Sequence, residues 1–476
     1  VLAGIALATV AVRLPFLGTP LSVDEGGYAY VAHFWARGFH LYRDVWVDRP
    51  QGLLLLFRAA EAPFGPHGWA VRLLAAVFAG VTASLLGVLV ARLTSPRLGL
   101  VAAALWAIIS VGPPIEGFAA NGELLSALPA VGALTAFSFW LTGRGRSWAP
   151  MTAGLLTGCA VLVKQSGYDA GAAIALWLLL AAFLGWRARG DALRALGLVL
   201  AGALAPVALA AVHGALTGFH DWWFAVAGYR LSVESVATGS VTQRLHLLWS
   251  SFVVAGPCLV PLIALAPLGV AAAWRRIETR VLVLWLAFAL SGFALGGLFH
   301  PHYYVELLAP LCALGALGID RLLAIAGRRT TVVLLALSMV PVIVAFWPAY
   351  TASGDRAVSL ASTDDSRIVT DAAVGGWLKD HSRPTDTIYA MYADASLYFA
   401  ADRRSAFRYL WFLNVAHIPG ALGQLENVLR GPNGPRYVAL YQAPGSIDRT
   451  GTVQRILETR YRPAITIQGV PILARR

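Results

Sequence analysis

Five short stretches of the chain carry side chains that could run group transfer. The first is S-V-D-E-G-G-Y, with Asp24 and Glu25 adjacent and Tyr28 following. The second is D-R-P-Q, with Asp48 and Arg49 side by side before Pro50. Glu123 lies in N-G-E-L-L-S-A-L, Lys164 in L-V-K-Q-S-G, and His300, His302 and Tyr303 in H-P-H-Y-Y. A carboxylate within hydrogen-bond reach of a hydroxyl can take its proton as the oxygen attacks. A guanidinium steadied by a neighbouring carboxylate can clamp a phosphate. The structural alternatives are plain. Asp24 or Ser22 could be the N-cap of a helix, Asp48 and Arg49 a surface ion pair of little worth, and Lys164 a snorkelling lysine at the end of a span. Two histidines at i, i+2 are a weak metal signal, so phosphate or acceptor contact is the better reading of His302.

The elements that must hold these residues are membrane helices. Of 476 residues 58% are hydrophobic and 13% charged, against about 45–50% and about 25% in soluble domains. Eleven apolar spans are expected near 1–17, 69–91, 98–112, 124–142, 150–163, 170–186, 196–213, 247–272, 281–299, 304–323 and 331–349. The opening run from Val1 to Val12 is short for a span, which suggests that the first helix starts before Val1. No basic n-region or cleavage site marks a signal peptide.

The net charge is +12 and almost wholly due to Arg, with Lys164 and Lys379 as the only lysines. Arginines recur in every second loop: Arg92 and Arg97; Arg144 and Arg146; Arg187, Arg189 and Arg194; Arg275, Arg276 and Arg280; Arg328 and Arg329. That alternation reads as positive-inside topology. It puts the loop 19–68 and the tail after about residue 350 on the extracytoplasmic side. No basic stripe with interleaved aromatics points to nucleic acid. Cys159, Cys258 and Cys312 each sit in apolar runs and read as small core residues.

In the first outer loop, Tyr28, Val31, Ala32 and Trp35 fall on one helical face. An amphipathic helix lying flat in the interface is expected there, holding the acidic pair at the membrane surface. Trp222 and Trp223 read as an interfacial aromatic belt. Residues 351–476 alternate helix and strand: helices over 365–379, 421–430 and 452–459, strands over 386–392 and 436–442, and a closing hairpin over 464–473 turning near Gly469. That is a small α/β domain of about 120 residues, without a glycine-rich nucleotide motif.

In order and in sidedness these motifs resemble those of the GT-C membrane glycosyltransferases, in the protein O-mannosyltransferase and aminoarabinose-transferase-like branch (family 39/83-like). The likeness runs over nearly the whole chain. It implies a polytopic helical bundle, residues 1–350, with a C-terminal extracytoplasmic α/β domain, residues 351–476. It also implies transfer of a hexosyl or pentosyl group from a polyprenyl-phosphate carrier to a lipid, glycan or protein acceptor, with inversion, in a bacterial inner membrane. By that resemblance Asp24 matches the proposed general base, Asp48 and Arg49 the element near the carrier phosphate, and Glu123 a second acidic site. Lys164 and His302 match polar positions facing the same cavity, and Glu25, Tyr28 and Tyr303 join them as substrate-binding candidates. The family often has a second proline where this chain has Gln51. A divalent cation serves some relatives, and none is assigned here. Against this stand a transporter or flippase, disfavoured by sparse ionisable groups in the spans and no inverted repeat, and a non-catalytic assembly or sensor protein.

Overall fold

A computed structural model describes residues 1–143, 148–234, 239–353, 359 and 367–476. Arg144, Arg146 and Asp365, which figured in the loop and helix expectations, lie outside the described residues. Each of the eleven expected spans coincides with a helical segment. They are α1 (Leu2–Ala11), α4 (Gly68–Leu93), α5 (Pro96–Ile109), α6 (Gly122–Leu141), α7 (Trp148–Val163), α8 (Asp169–Phe183), α9 (Arg189–Thr217), α11 (Val241–Trp274), α12 (Arg280–Leu295) and α13 (Val305–Thr351). The last supplies two segments, because Gly327 breaks it with φ 74°, a left-handed value that favours glycine. Between them run α2 (Val23–Ala36), α3 (Gln51–Phe64) and α10 (Phe219–Trp223).

Among the described residues six helical stretches, including Gly68–Leu93 and Val241–Trp274, are long and apolar enough to cross a membrane, and shorter apolar helices pack among them. Without a hydrophobic drive between helices in lipid, close backbone approach holds them together. A Cβ on Gly154 of α7 would stand 2.0 Å from the Val199 carbonyl oxygen of α9, so only glycine admits this crossing.

The C-terminal residues form α14 (Ile368–His381), β1 (Thr387–Ala390), α15 (Ala395–Ala401), β2 (Arg404–Ser405), α16 (Phe412–His417), α17 (Ala421–Arg430), β3 (Tyr437–Ala439), α18 (Thr452–Arg460), β4 (Tyr461–Ile467) and β5 (Val470–Arg475). The sheet order is β2-β1-β3-β5-β4. β1 pairs parallel with β2 and β3, while β5 runs antiparallel to β3 and β4 with Val438 opposite Leu473. The expected hairpin turns at Gly469, φ 84°. Strand β2 and helices α15 and α16 were not expected: β2 has only two residues, and the two helices have seven and six.

Helix α2 corrects one expectation. It has no wet face, because Tyr28, Tyr30, Val31 and Phe34 are all buried. It is clamped between the bundle and the C-terminal sheet domain. A Cβ on Gly26 would meet the Ser396 Cα at 2.6 Å, and one on Gly27 the Trp411 ring at 2.5 Å. The Ser405 amide also donates to the Tyr30 hydroxyl at 2.9 Å. The helix is therefore part of an interdomain core, with its first turn facing a cleft.

Candidate active site

The start of α2 sorts the acidic pair. Ser22 is the N-cap: the Glu25 amide donates to its hydroxyl at 3.3 Å, and its own amide donates to Glu25 Oε2 at 3.1 Å. This capping box turns Glu25 inward. There Arg72 of α4 holds both carboxylate oxygens, at 2.6 and 2.7 Å, and the Ala120 amide donates at 2.7 Å. Glu25 is 0% exposed and does not line the cleft, so its substrate-binding assignment becomes a structural one. Its neighbour Asp24 faces the cleft instead. The Tyr28 hydroxyl donates to Asp24 Oδ2 at 3.1 Å, and the Trp411 indole N–H donates to Oδ1 at 3.0 Å. The carboxylate is thus oriented from two sides, one of them the C-terminal domain.

Asp48 and Arg49 are no surface pair. Asp48 Oδ2 accepts from Arg49 at 2.6 Å and from Arg230 at 2.7 Å, with both aspartate and Arg49 largely buried. Burial alone would raise the Asp48 pKa, but Arg49 and Arg230 outweigh it and hold the group below the usual carboxylate range. For Arg49, burial works against the charge, yet Asp48 and Tyr28 raise its pKa well above the ordinary value. The guanidinium lies over the Tyr28 ring at 5.6 Å. Gln51, in place of a second proline, starts α3 and ties it to the bundle. Its amide donates to the Ala210 carbonyl at 3.0 Å and accepts from the Trp222 indole at 3.1 Å. Trp222 is therefore buried rather than a belt residue, while Trp223 is exposed.

A third polar group lies behind the cleft. Lys164 reaches Glu123 Oε1 and Glu306 Oε1, each at 2.6 Å, and Ser166 donates to the same Glu306 oxygen. His302 Nε2 is 3.9 Å from Glu123, and its Nδ1 is 3.7 Å from Glu116. The Lys164 ammonium sits 4.7 Å from the Tyr303 ring centroid. Two carboxylates hold Lys164, which stands behind Tyr303 rather than among the residues lining the cleft. Glu123 likewise lies off the cleft lining, against Lys164 and His302.

The cleft itself has a volume of about 280 Å³. Asp24, Tyr28, Asp48, Arg49, His302 and Tyr303 all line it. Residues that sequence reading missed join them: Glu116, Arg230, Arg367, Asp394 and Trp411. Arg367 and Asp394 form an ion pair at 2.9 Å. Nothing in the spacing of the sequence singled these residues out. Among the described residues no group of three His, Cys, Asp or Glu is arranged to hold a metal ion. The arrangement combines one oriented carboxylate with two convergent guanidiniums, a site for an anionic leaving group beside a proton acceptor.

A helical bundle carrying this cleft under a C-terminal sheet domain is the GT-C glycosyltransferase fold. The model for the family described as dolichyl-phosphate-mannose-protein mannosyltransferase matches residues 48–212. The structure is similar to ArnT from Cupriavidus metallidurans bound to undecaprenyl phosphate, with TM-score 0.67 and 14% identity over 99% of this chain and 97% of that one. It is also similar to the oligosaccharyltransferase AglB from Archaeoglobus fulgidus in complex with an inhibitory peptide and a dolichol-phosphate, with TM-score 0.55 and 14% identity over 92% and 68%. None of the curated proteins compared matches the sequence.

Proposed function

We propose that the chain moves a sugar from a polyprenyl-phosphate carrier to an acceptor hydroxyl, with inversion, at the extracytoplasmic face of a bacterial plasma membrane. The observation that carries this is the convergence of Asp24, Arg49 and Arg230 on one cleft at the meeting of bundle and sheet domain. The acceptor oxygen bonds to the anomeric carbon as the bond from that carbon to the phosphate oxygen breaks. The hydroxyl proton passes to Asp24, and the electron pair leaves with the phosphate. That leaving group needs cations rather than an acid, and Arg49 and Arg230 are preorganised to supply them in a poorly solvated site. Asp48 holds the two guanidiniums together. His302 and Tyr303 also line the cleft, where they contact donor or acceptor.

The cleft volume of about 280 Å³ lies just under the ~300–1,000 Å³ of sites that enclose drug-sized ligands. It suits a headgroup, with the polyprenyl tail left in the bilayer. Undecaprenyl phosphate in one structural neighbour and dolichol-phosphate in the other support a lipid-linked donor. The division into a bundle up to about residue 350 and an outer α/β domain beyond it belongs to the same proposal.

The test is transfer from polyprenyl-phosphate sugars by purified protein in detergent or nanodiscs. The expected result is turnover by the parent and none by Asp24→Asn of unchanged melting temperature. Full activity in that variant ends the base assignment, and donor movement without sugar transfer ends the enzyme reading.

A further inference from the structure

A second groove lies at the other end of the bundle. Its position follows from α4. The start of that helix, at Gly68, packs against Leu21 beside the cleft, whereas its end leads into Thr94 and Ser95, which line the second groove. Twenty-six residues at about 1.5 Å each separate the two by ~40 Å. The groove has a volume of about 460 Å³ between the start of α5, the end of α11 and the stretch of α13 before its break at Gly327. Arg275, Arg276 and Arg321 line it, with Asp320 as the one acid.

These arginines differ from others in the chain. Arg13, Arg72, Arg187 and Arg403 are committed to carbonyls or carboxylates of their own protein. None of the guanidiniums of Arg275, Arg276 and Arg321 has a hydrogen-bond or ion-pair partner among the described residues. Three unpaired cations against one carboxylate leave the groove net positive. Leu98 and Leu317 form its apolar wall. Beside it Trp274, Leu323 and Ile325 are 50%, 40% and 61% exposed on the bundle's outer surface. An indole at that depth sits where headgroups meet acyl chains.

We propose that this groove binds the phosphate-bearing headgroup of an anionic membrane phospholipid, in the leaflet opposite the C-terminal domain. The guanidiniums take the phosphate oxygens as charge-assisted hydrogen bonds, and the exposed apolar side chains take the acyl chains. A soluble phosphate would use the cations and leave that apolar flank unused. A positive-inside loop alone explains the charge but not its convergence on one groove.

The test is native mass spectrometry of the whole chain from detergent doped with phosphatidylglycerol or phosphatidylcholine. One retained phosphatidylglycerol per chain is expected, at least tenfold favoured over phosphatidylcholine. The triple variant Arg275→Gln, Arg276→Gln, Arg321→Gln loses that preference. The charge-matched control Arg189→Gln, Arg194→Gln, Arg329→Gln keeps it. Equal loss in the control overturns the proposal, because it shows only bulk charge. So does an absence of preference in the unmodified chain, which needs no variant to fold. Inorganic phosphate that displaces the lipid effect at millimolar concentration overturns the lipid commitment as well.

Discussion

Replacing Trp411 with Phe isolates what the C-terminal domain does for the chemistry. The indole N–H donates to Asp24 Oδ1 at 3.0 Å, and its ring stands 6.0 Å from the Tyr28 ring. Phenylalanine keeps a ring at that place and removes only the donor. A hydrogen bond to a charged group is worth about 1.5–3 kcal/mol. If the bond serves to aim the carboxylate, its loss is felt in the transition state, and each ~1.36 kcal/mol is tenfold in rate. The expected fall in kcat is therefore roughly 10- to 150-fold, with KM for the polyprenyl-phosphate sugar little changed. Single-turnover transfer of a labelled sugar gives the rate, and a melting curve shows whether the domain stays docked. A variant with the parent's melting temperature and parent kcat refutes the orienting role. A variant that melts early leaves the same question to Tyr28→Phe, which removes the 3.1 Å bond on the other oxygen.

Other outcomes follow from the same geometry. Glu25→Gln unpairs the Arg72 guanidinium, itself 1% exposed; breaking a buried pair costs about 3–5 kcal/mol. Its melting temperature should drop sharply while the remaining folded protein keeps its kcat, and a catalytic Glu25 would show the reverse. The folded pKa of Asp48 lies below its ordinary value. Its contribution to stability is thus complete above about pH 3.9, the unfolded value, and is lost as pH falls through the lower folded value. Acid unfolding below about pH 4 should be steeper for the parent than for Asp48→Asn. Arg230→Ala should raise KM for the lipid-linked donor about tenfold or more, with donor titrations as the measure; an unchanged KM would take Arg230 out of the phosphate site.

Residues local to a motif were legible in the sequence. Asp24 sits beside its own cap, and Asp48 beside Arg49, so their neighbourhood could be inferred. Arg230 and Trp411 could not be found that way: they meet Asp48 and Asp24 across 182 and 387 residues. The partners of Lys164 were hidden for the same cause. Glu123 and Glu306, which pair with it, stand 41 and 142 residues away. The amphipathic reading of α2 missed its covered second face because periodicity reports one apolar face, and only packing shows that the C-terminal domain covers the other.

The sequence alone determined the membrane class, the spans, the small α/β tail and the acidic and basic motifs of one face. Those features are set by hydropathy, helix length and charge alternation, which act over tens of residues and need no knowledge of partners. The tertiary structure decided which charges are spent on each other and which remain facing the cleft. Electrostatic pairing depends on distances of a few ångströms between segments far apart in the chain, and only the packed fold brings those distances about.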